Sequence, residues 1–314
     1  MNARHIWLIA GSYLKHTLRT GRGVFFLFAT LVFGLVIAQV FLWPLEQAVD
    51  GVSQTPAGMS KIEYVHREYA QVLKPLTEFA LGGNPQEFRR GRGAASSRGD
   101  ATNPNAAAWA NHLIYDHPAI VSMLIVVLLY SVPALILSHG FNILTGDIQE
   151  GSLRYWLPRT RRVNIFMGRF LGLVVFSILA LAIVLAVFGL YVHFKLGLYP
   201  GDEMAMWLLR GAACLLMLVL PYAALCTMVS GAMSSPFWSV AGLIVLLAGI
   251  PLFAFVGGLY APPLKELLHL LPFQQHLPLL HFEQKQAIIA AVSCQLYMLA
   301  YLSIGLWYFS ERDL

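Results

Sequence analysis

The sequence predicts an all-α membrane protein of six transmembrane helices preceded by an interfacial amphipathic helix. Three observations carry that class. Of 314 residues, 58% are hydrophobic and only 12% charged, whereas a soluble domain carries about 25% charged residues. Six apolar stretches lack Lys, Arg, Asp and Glu, and each reaches the roughly 20 residues that a bilayer requires. The short segments on one side of those stretches hold most of the arginines.

In chain order, residues 1–22 form the interfacial element. Ile6, Ile9, Ala10, Tyr13, Leu14 and Leu18 recur at helical spacing, while Arg4, Lys15, His16 and Arg19 fall elsewhere. A cleaved signal peptide does not fit, because the charged region is too long and the residues around Trp43 and Pro44 are not small. The first span is 23–43. Residues 44–117 come next as a long insert with two characters. Ser60 and Glu63 make a capping box for a helix over 60–80, whose apolar face holds Ile62, Val65, Tyr69, Val72, Leu73, Leu76 and Phe79; Gly82 and Gly83 stop it. Residues 89–104 are rich in Arg, Gly and Ser and predict disorder. A second short helix, 105–115, leads into the span 118–138.

The remaining elements are a segment at 139–169 and spans at 170–192, 211–233, 237–260 and 287–310. Pro133, Pro221 and Pro251 supply bends. Residues 261–286 join the last two spans. Leu264, Leu267, Leu268, Leu270 and Leu271 make that segment too apolar for an open loop, and Pro262, Pro263, Pro272 and Pro278 divide it. A short helix lying on or dipping into the outer leaflet is expected.

Six spans place both termini on one side. That side holds Arg4, Lys15, Arg19, Arg22, Arg154, Arg159, Arg161, Arg162, Arg169 and Arg312, so it is expected to be cytoplasmic, with 44–117 outside. The basic pI is accounted for by these flanking arginines and does not indicate nucleic acid.

The chain lacks several familiar chemistries. It has no Gly-Lys pair for a phosphate loop, no His-Glu-x-x-His and no Gly-x-Ser-x-Gly. Cys214, Cys226 and Cys294 lie in apolar runs and read as membrane-core residues. His276 and His281 are wrongly spaced for one helical face, which disfavours a metal pair. Ser122, Ser177 and Ser293 show no nearby base in sequence, which disfavours an intramembrane protease. Spans free of ionisable groups argue against ion-coupled transport, so energy is expected to enter from outside the bilayer.

The most ordered polar stretch is 147–169: acidic residues, Gly-Ser, an aromatic pair, then arginines. It resembles the signature of ABC-2 type transporter permeases, the membrane subunits of ATP-binding-cassette exporters. Asp147, Glu150, Gly151, Ser152, Leu153, Arg154 and Tyr155 match the first part; Arg162, Ile165, Gly168 and Arg169 match the second. Ser152 stands where the family has Thr and Arg169 where it has Lys, and Pro158 lies one position early. The layout of spans and the ending Phe309 to Leu314 are also similar.

The resemblance implies a coupling helix within 143–160, lodged in an ATPase groove. It assigns ATPase coupling to Asp147, Glu150, Gly151, Leu153, Arg154, Tyr155, Arg159, Arg162, Gly168 and Arg169, with Gly151 allowing close backbone approach and Leu153 offering an apolar knob. It implies a cytoplasmic ABC ATPase dimer that binds ATP and Mg, no cofactor or catalytic residue in this chain, a second permease copy or paralogue, and residence in a bacterial inner membrane. Two alternatives are a mechanotransmission subunit acting on an envelope partner through 44–117, and a membrane enzyme. An uncharged lumen suits a lipid, a peptide or an amphipathic drug equally.

Overall fold

The computed structural model describes residues 3–51, 112–114, 116–196, 200–281 and 283–312. The expected helix at 60–80, the stretch 89–104 and most of the helix at 105–115 lie outside the described residues. All regular elements among the described residues are helical: α1 (Ala3–Arg19), α2 (Gly21–Gly51), α3 (Ala119–Gly140), α4 (Thr145–Gln149), α5 (Leu153–Trp156), α6 (Arg162–Leu196), α7 (Gly201–Ala232), α8 (Pro236–Ile244), α9 (Ile250–Tyr260) and α10 (Gln284–Glu311). Taking α8 and α9 as one crossing, six helical segments are long and apolar enough to cross a membrane, the build of a multi-pass membrane protein.

The helices outrun the apolar stretches that announce them. α6 begins at Arg162 rather than Phe170, α7 at Gly201 rather than Gly211, and α2 continues through Pro44 to Gly51. The apolar run marks the hydrocarbon thickness. A hydrogen-bonded helix has no reason to stop there. Asp202 and Glu203 sit in the first turn of α7, where carboxylates favour the positive helix end.

Three helices form the centre. The apolar windows of α3, α6 and α7 are 67%, 56% and 67% buried, against 28% for α2, 11% for α8–α9 and 22% for α10. α7 touches α3, α6 and α10. The outer helices expose large apolar side chains, among them Phe28 and Val36 on α2, Phe237 and Phe253 on α8–α9, and Val292 and Leu299 on α10. Apolar surface of this extent suits lipid or another subunit.

The fifth crossing is not one α-helix. A π turn, Val245–Gly249, separates α8 from α9. Pro251 has no N–H to give residue 247, so the regular ladder fails there. The segment after α9 is divided at its prolines, as expected, but into 3₁₀ pieces: Pro262–Leu270, Pro272–Gln275 and Pro278–Leu280. Each begins with proline, whose fixed φ suits a first helical position. These pieces seal one end of the bundle. The Tyr222 hydroxyl lies 2.7 Å from His276 Nε2, Cys214 donates to the Leu279 carbonyl, and Tyr301 donates to the Leu270 carbonyl. Burial pushes His276 down to about 4, so the imidazole is neutral at physiological pH.

α1 is amphipathic in the expected register, burying Ile6, Ile9, Ala10 and Tyr13. It docks on α6. A Cβ at Gly168 would stand 2.7 Å from Ile9 Cβ, and one at Gly172 would stand 2.6 Å from Tyr13 Cδ1. Two glycines one turn apart thus form the notch that admits α1, as small residues do between membrane helices.

Candidate functional site

The candidate site is the segment between α3 and α6, at the arginine-rich end of the bundle. α3 ends at Gly140. The chain turns at 141–144, makes α4, reverses at Gly151, makes α5, and enters α6 through 157–161. Gly151 has φ +67°, the only positive φ among the described residues. This left-handed residue ends α4 by donating its N–H to the Ile148 carbonyl at 3.2 Å. The reason for glycine is therefore conformational. A Cβ there would meet nothing within 4 Å in this chain.

Several motif residues turn inward. Asp147 Oδ2 and Arg169 Nη2 form an ion pair at 2.5 Å, their side chains only 16% and 13% exposed. The Arg169 guanidinium also lies 5.4 Å from the centre of the Tyr13 ring. Burial pushes the Tyr13 phenol up, so the ring stays neutral beneath the charge. The Ser152 hydroxyl lies within reach of both the Asp147 carbonyl (3.3 Å) and its Oδ1 (3.2 Å), folding the Gly-Ser turn back on α4. Leu153 is only 2% exposed and belongs to the core. Its expected role as an apolar knob for a partner gives way to that of an anchor for α5. Asp147 and Arg169, both expected to couple to an ATPase, form an ion pair with each other instead. Gly168 serves α1.

Arg162 is half-buried and also tied to the bundle. Its Nη1 donates to the Ser310 carbonyl (2.8 Å) and the Arg312 carbonyl (2.5 Å), so a cation meets the negative end of α10. Arg312 Nη1 in turn donates to the carbonyls of Gly231 (2.9 Å) and Met233 (2.8 Å) at the end of α7. The outward set is different. Glu150, Arg159 and Arg161 are exposed, and Tyr155 is 79% exposed. For Arg154 only its backbone in α5 is described.

Two serines fasten the segment to the bundle, and sequence reading missed both. Ser230 Oγ of α7 accepts N–H bonds from Leu144 (3.0 Å) and Thr145 (3.1 Å), where α4 begins. Ser239 Oγ of α8 donates to the Phe141 carbonyl at 2.5 Å. Partners 85 and 98 residues away leave no local signal. Ser230→Ala strands two buried donors, each worth about 1–3 kcal/mol. The expected outcome is faster proteolysis at 157–161 with the spans intact, measured by limited digestion; an unchanged pattern contradicts the anchoring role.

The structure corrects one further expectation. Ser177 does have a base beside it: its Oγ lies 3.2 Å from His139 Nε2. His139 Nδ1 faces the Leu135 carbonyl at 2.8 Å, which fixes that nitrogen as the donor and Nε2 as the acceptor. Sequence distance hid the pair, which forms where α3 crosses α6. The void that Ser177 adjoins holds about 10 Å³, at the limit for one water. The Ser177 hydroxyl also reaches the Leu173 carbonyl at 2.9 Å, and the pair reads as mutual satisfaction of buried polar groups.

No protein-family model matches the chain, and no curated protein matches it.

Proposed function

We propose that the chain is the membrane-spanning permease subunit of an ATP-binding-cassette exporter, driven by separate cytoplasmic ATPases and paired with a second permease. The observation that supports this most is the division of the 147–169 motif into two faces. Asp147, Ser152, Leu153, Arg162, Gly168 and Arg169 hold the segment in shape. Glu150, Tyr155, Arg159 and Arg161 stand outward on it, where a partner can meet them. The arginine-rich end is then cytoplasmic, with the termini, and 44–117 faces the other side of a bacterial inner membrane.

Force on α4 and α5 has rigid outlets. It reaches α7 through Ser230, α8 through Ser239, and α6 through the Asp147–Arg169 pair. Arg162 and Arg312 tie the start of α6 to the ends of α10 and α7. ATP-driven closure would tilt α3 and α6 through these contacts.

The mechanotransmission reading draws support from the end of the insert. Leu113 and Ile114 are buried, and His117 stacks on Trp207 of α7 with centroids 3.6 Å apart. A pull on 44–117 would reach α7 directly. A partner bound to that insert, with no continuous cavity between paired subunits, would favour it.

The test is purification of the tagged chain from its native membranes. An ABC ATPase is expected to co-purify. Glu150→Lys is expected to uncouple its ATP hydrolysis from activity without unfolding the spans; a bulky residue in place of Gly151 is expected to do so by straining the left-handed turn that ends α4. If both variants bind the ATPase and support wild-type activity, the contact lies elsewhere.

A further inference from the structure

A cavity of about 1490 Å³ lies against the inner side of the candidate site. Its walls come from α1, α2, the end of α3, the segment carrying α4 and α5, and Arg169 of α6. Ligand pockets usually span about 300–1,000 Å³, so a drug-sized molecule fits with room for water.

The lining changes character along its length. Toward α2 it is Phe25, Phe26, Ala29 and Phe33. Phe25 and Phe33 are exposed, and both belong to α2, a helix long and apolar enough to cross a membrane, so this end of the cavity opens beside a membrane span. Toward the segment it is polar, ending at Asn142, Asp147, Glu150 and Trp156. An apolar half that opens beside a membrane span, and a polar half at the arginine-rich end, is the profile of an amphipathic ligand.

Charge selects the sign of its head. The ionisable groups facing the cavity are His16 and Tyr13 from α1, His139 from α3, Asp147 and Glu150 from the segment, and Arg169 from α6. Asp147 and Arg169 cancel as an ion pair. Glu150 has no ion-pair partner among the described residues. Glu150 is thus the one acidic side chain lining the cavity without an ion pair among the described residues, and Trp156 lines the same end with an indole whose face also attracts cations. We infer that this cavity binds amphipathic organic cations, the apolar body against α2 and the cationic head toward Glu150 and Trp156.

The inference deepens the exporter reading by naming its substrate class, and rests on that reading only for the transport step after binding. Because α4 and α5 form a wall of the cavity, an occupant would touch the same segment that is proposed to meet the ATPase.

The test uses the isolated chain in phosphatidylcholine nanodiscs, without any ATPase. Rhodamine 6G binding is followed by fluorescence anisotropy, with the anionic dye 8-anilinonaphthalene-1-sulfonate in parallel. The expected results are saturable rhodamine binding above empty nanodiscs, little binding of the anionic dye, and weakening with salt. Glu150→Gln is expected to weaken rhodamine binding about threefold to fivefold, the size that an exposed charge pair supports. Ala29→Trp, which fills the apolar half from an exposed position, is expected to abolish it. Rhodamine binding equal to that of empty nanodiscs, equal affinity for the anionic dye, or unchanged binding by either variant overturns the assignment. Each of these would leave the ATPase contact untouched, since that is measured by co-purification.

Discussion

Asp147→Asn is expected to destabilise the protein by about 3–5 kcal/mol, the cost of leaving one member of a buried ion pair without its partner. Asp147 and Arg169 are both largely buried and 2.5 Å apart. Neutralising the carboxyl leaves the guanidinium its contact with Tyr13 but no counter-charge. Arg169→Met should cost a similar amount. The double variant Asp147→Leu with Arg169→Met should lose far less than the sum, because neither charge is then stranded. Thermal unfolding of the purified protein in detergent checks this, with a double-mutant cycle as the readout. Additive losses would mean that the two side chains act independently.

Gly168→Leu is expected to release α1 from α6. The new side chain would enter space held by Ile9, with the Ile6 carbonyl 3.1 Å from its Cβ. Backbone cannot yield as a flexible side-chain tip does, and overpacking of this kind costs about 1–3 kcal/mol or more. Gly172→Leu meets Tyr13 and should act the same way. A cysteine placed at Ile9, buried in the parent, should become reactive to a water-soluble maleimide in either variant. Gly146→Ala is the control: its Cβ would meet nothing within 4 Å, and alanine favours the helix. An unreactive Ile9→Cys in the Gly168→Leu background would show that α1 is held by other contacts.

The layout of crossings was legible because lipid imposes a crude rule. A span must be apolar and of fixed length, so hydropathy alone locates six of them. The face of α1 was legible for the same reason: Ile6, Ile9, Ala10 and Tyr13 repeat at 3.6-residue spacing. Helix ends were less so. The start of α6 at Arg162 and of α7 at Gly201 lies in polar sequence, where no hydrocarbon boundary dictates composition. The π turn before Pro251 results from a missing N–H, yet a proline alone does not say whether a bend, a break or a π turn will form.

The candidate site was legible as a segment but not as a surface. The order of 147–169 marks it out, yet order does not reveal which side chains turn inward. Leu153 looked like an exposed knob because an apolar residue beside arginines has no evident core to join; its core is supplied by the bundle. Gly168 belongs to the docking of α1, an element some 160 residues away in sequence. Ser230, Ser239 and the His139–Ser177 pair were invisible because each contact spans between 38 and 98 residues.

The proposal that this segment meets an ATPase is tested most directly by its two faces. A photo-crosslinking amino acid replaces Tyr155, which is 79% exposed, or Leu153, which is 2% exposed, and each variant is irradiated in native membranes. The expected result is an adduct between position 155 and an ABC ATPase, enhanced or shifted by ATP, with none from position 153. If position 155 gives adducts only with lipid or with this chain, while an ATPase co-purifies, the contact is elsewhere. If position 155 is reached by a membrane-impermeant reagent from outside the cell, the orientation is reversed and the coupling reading fails.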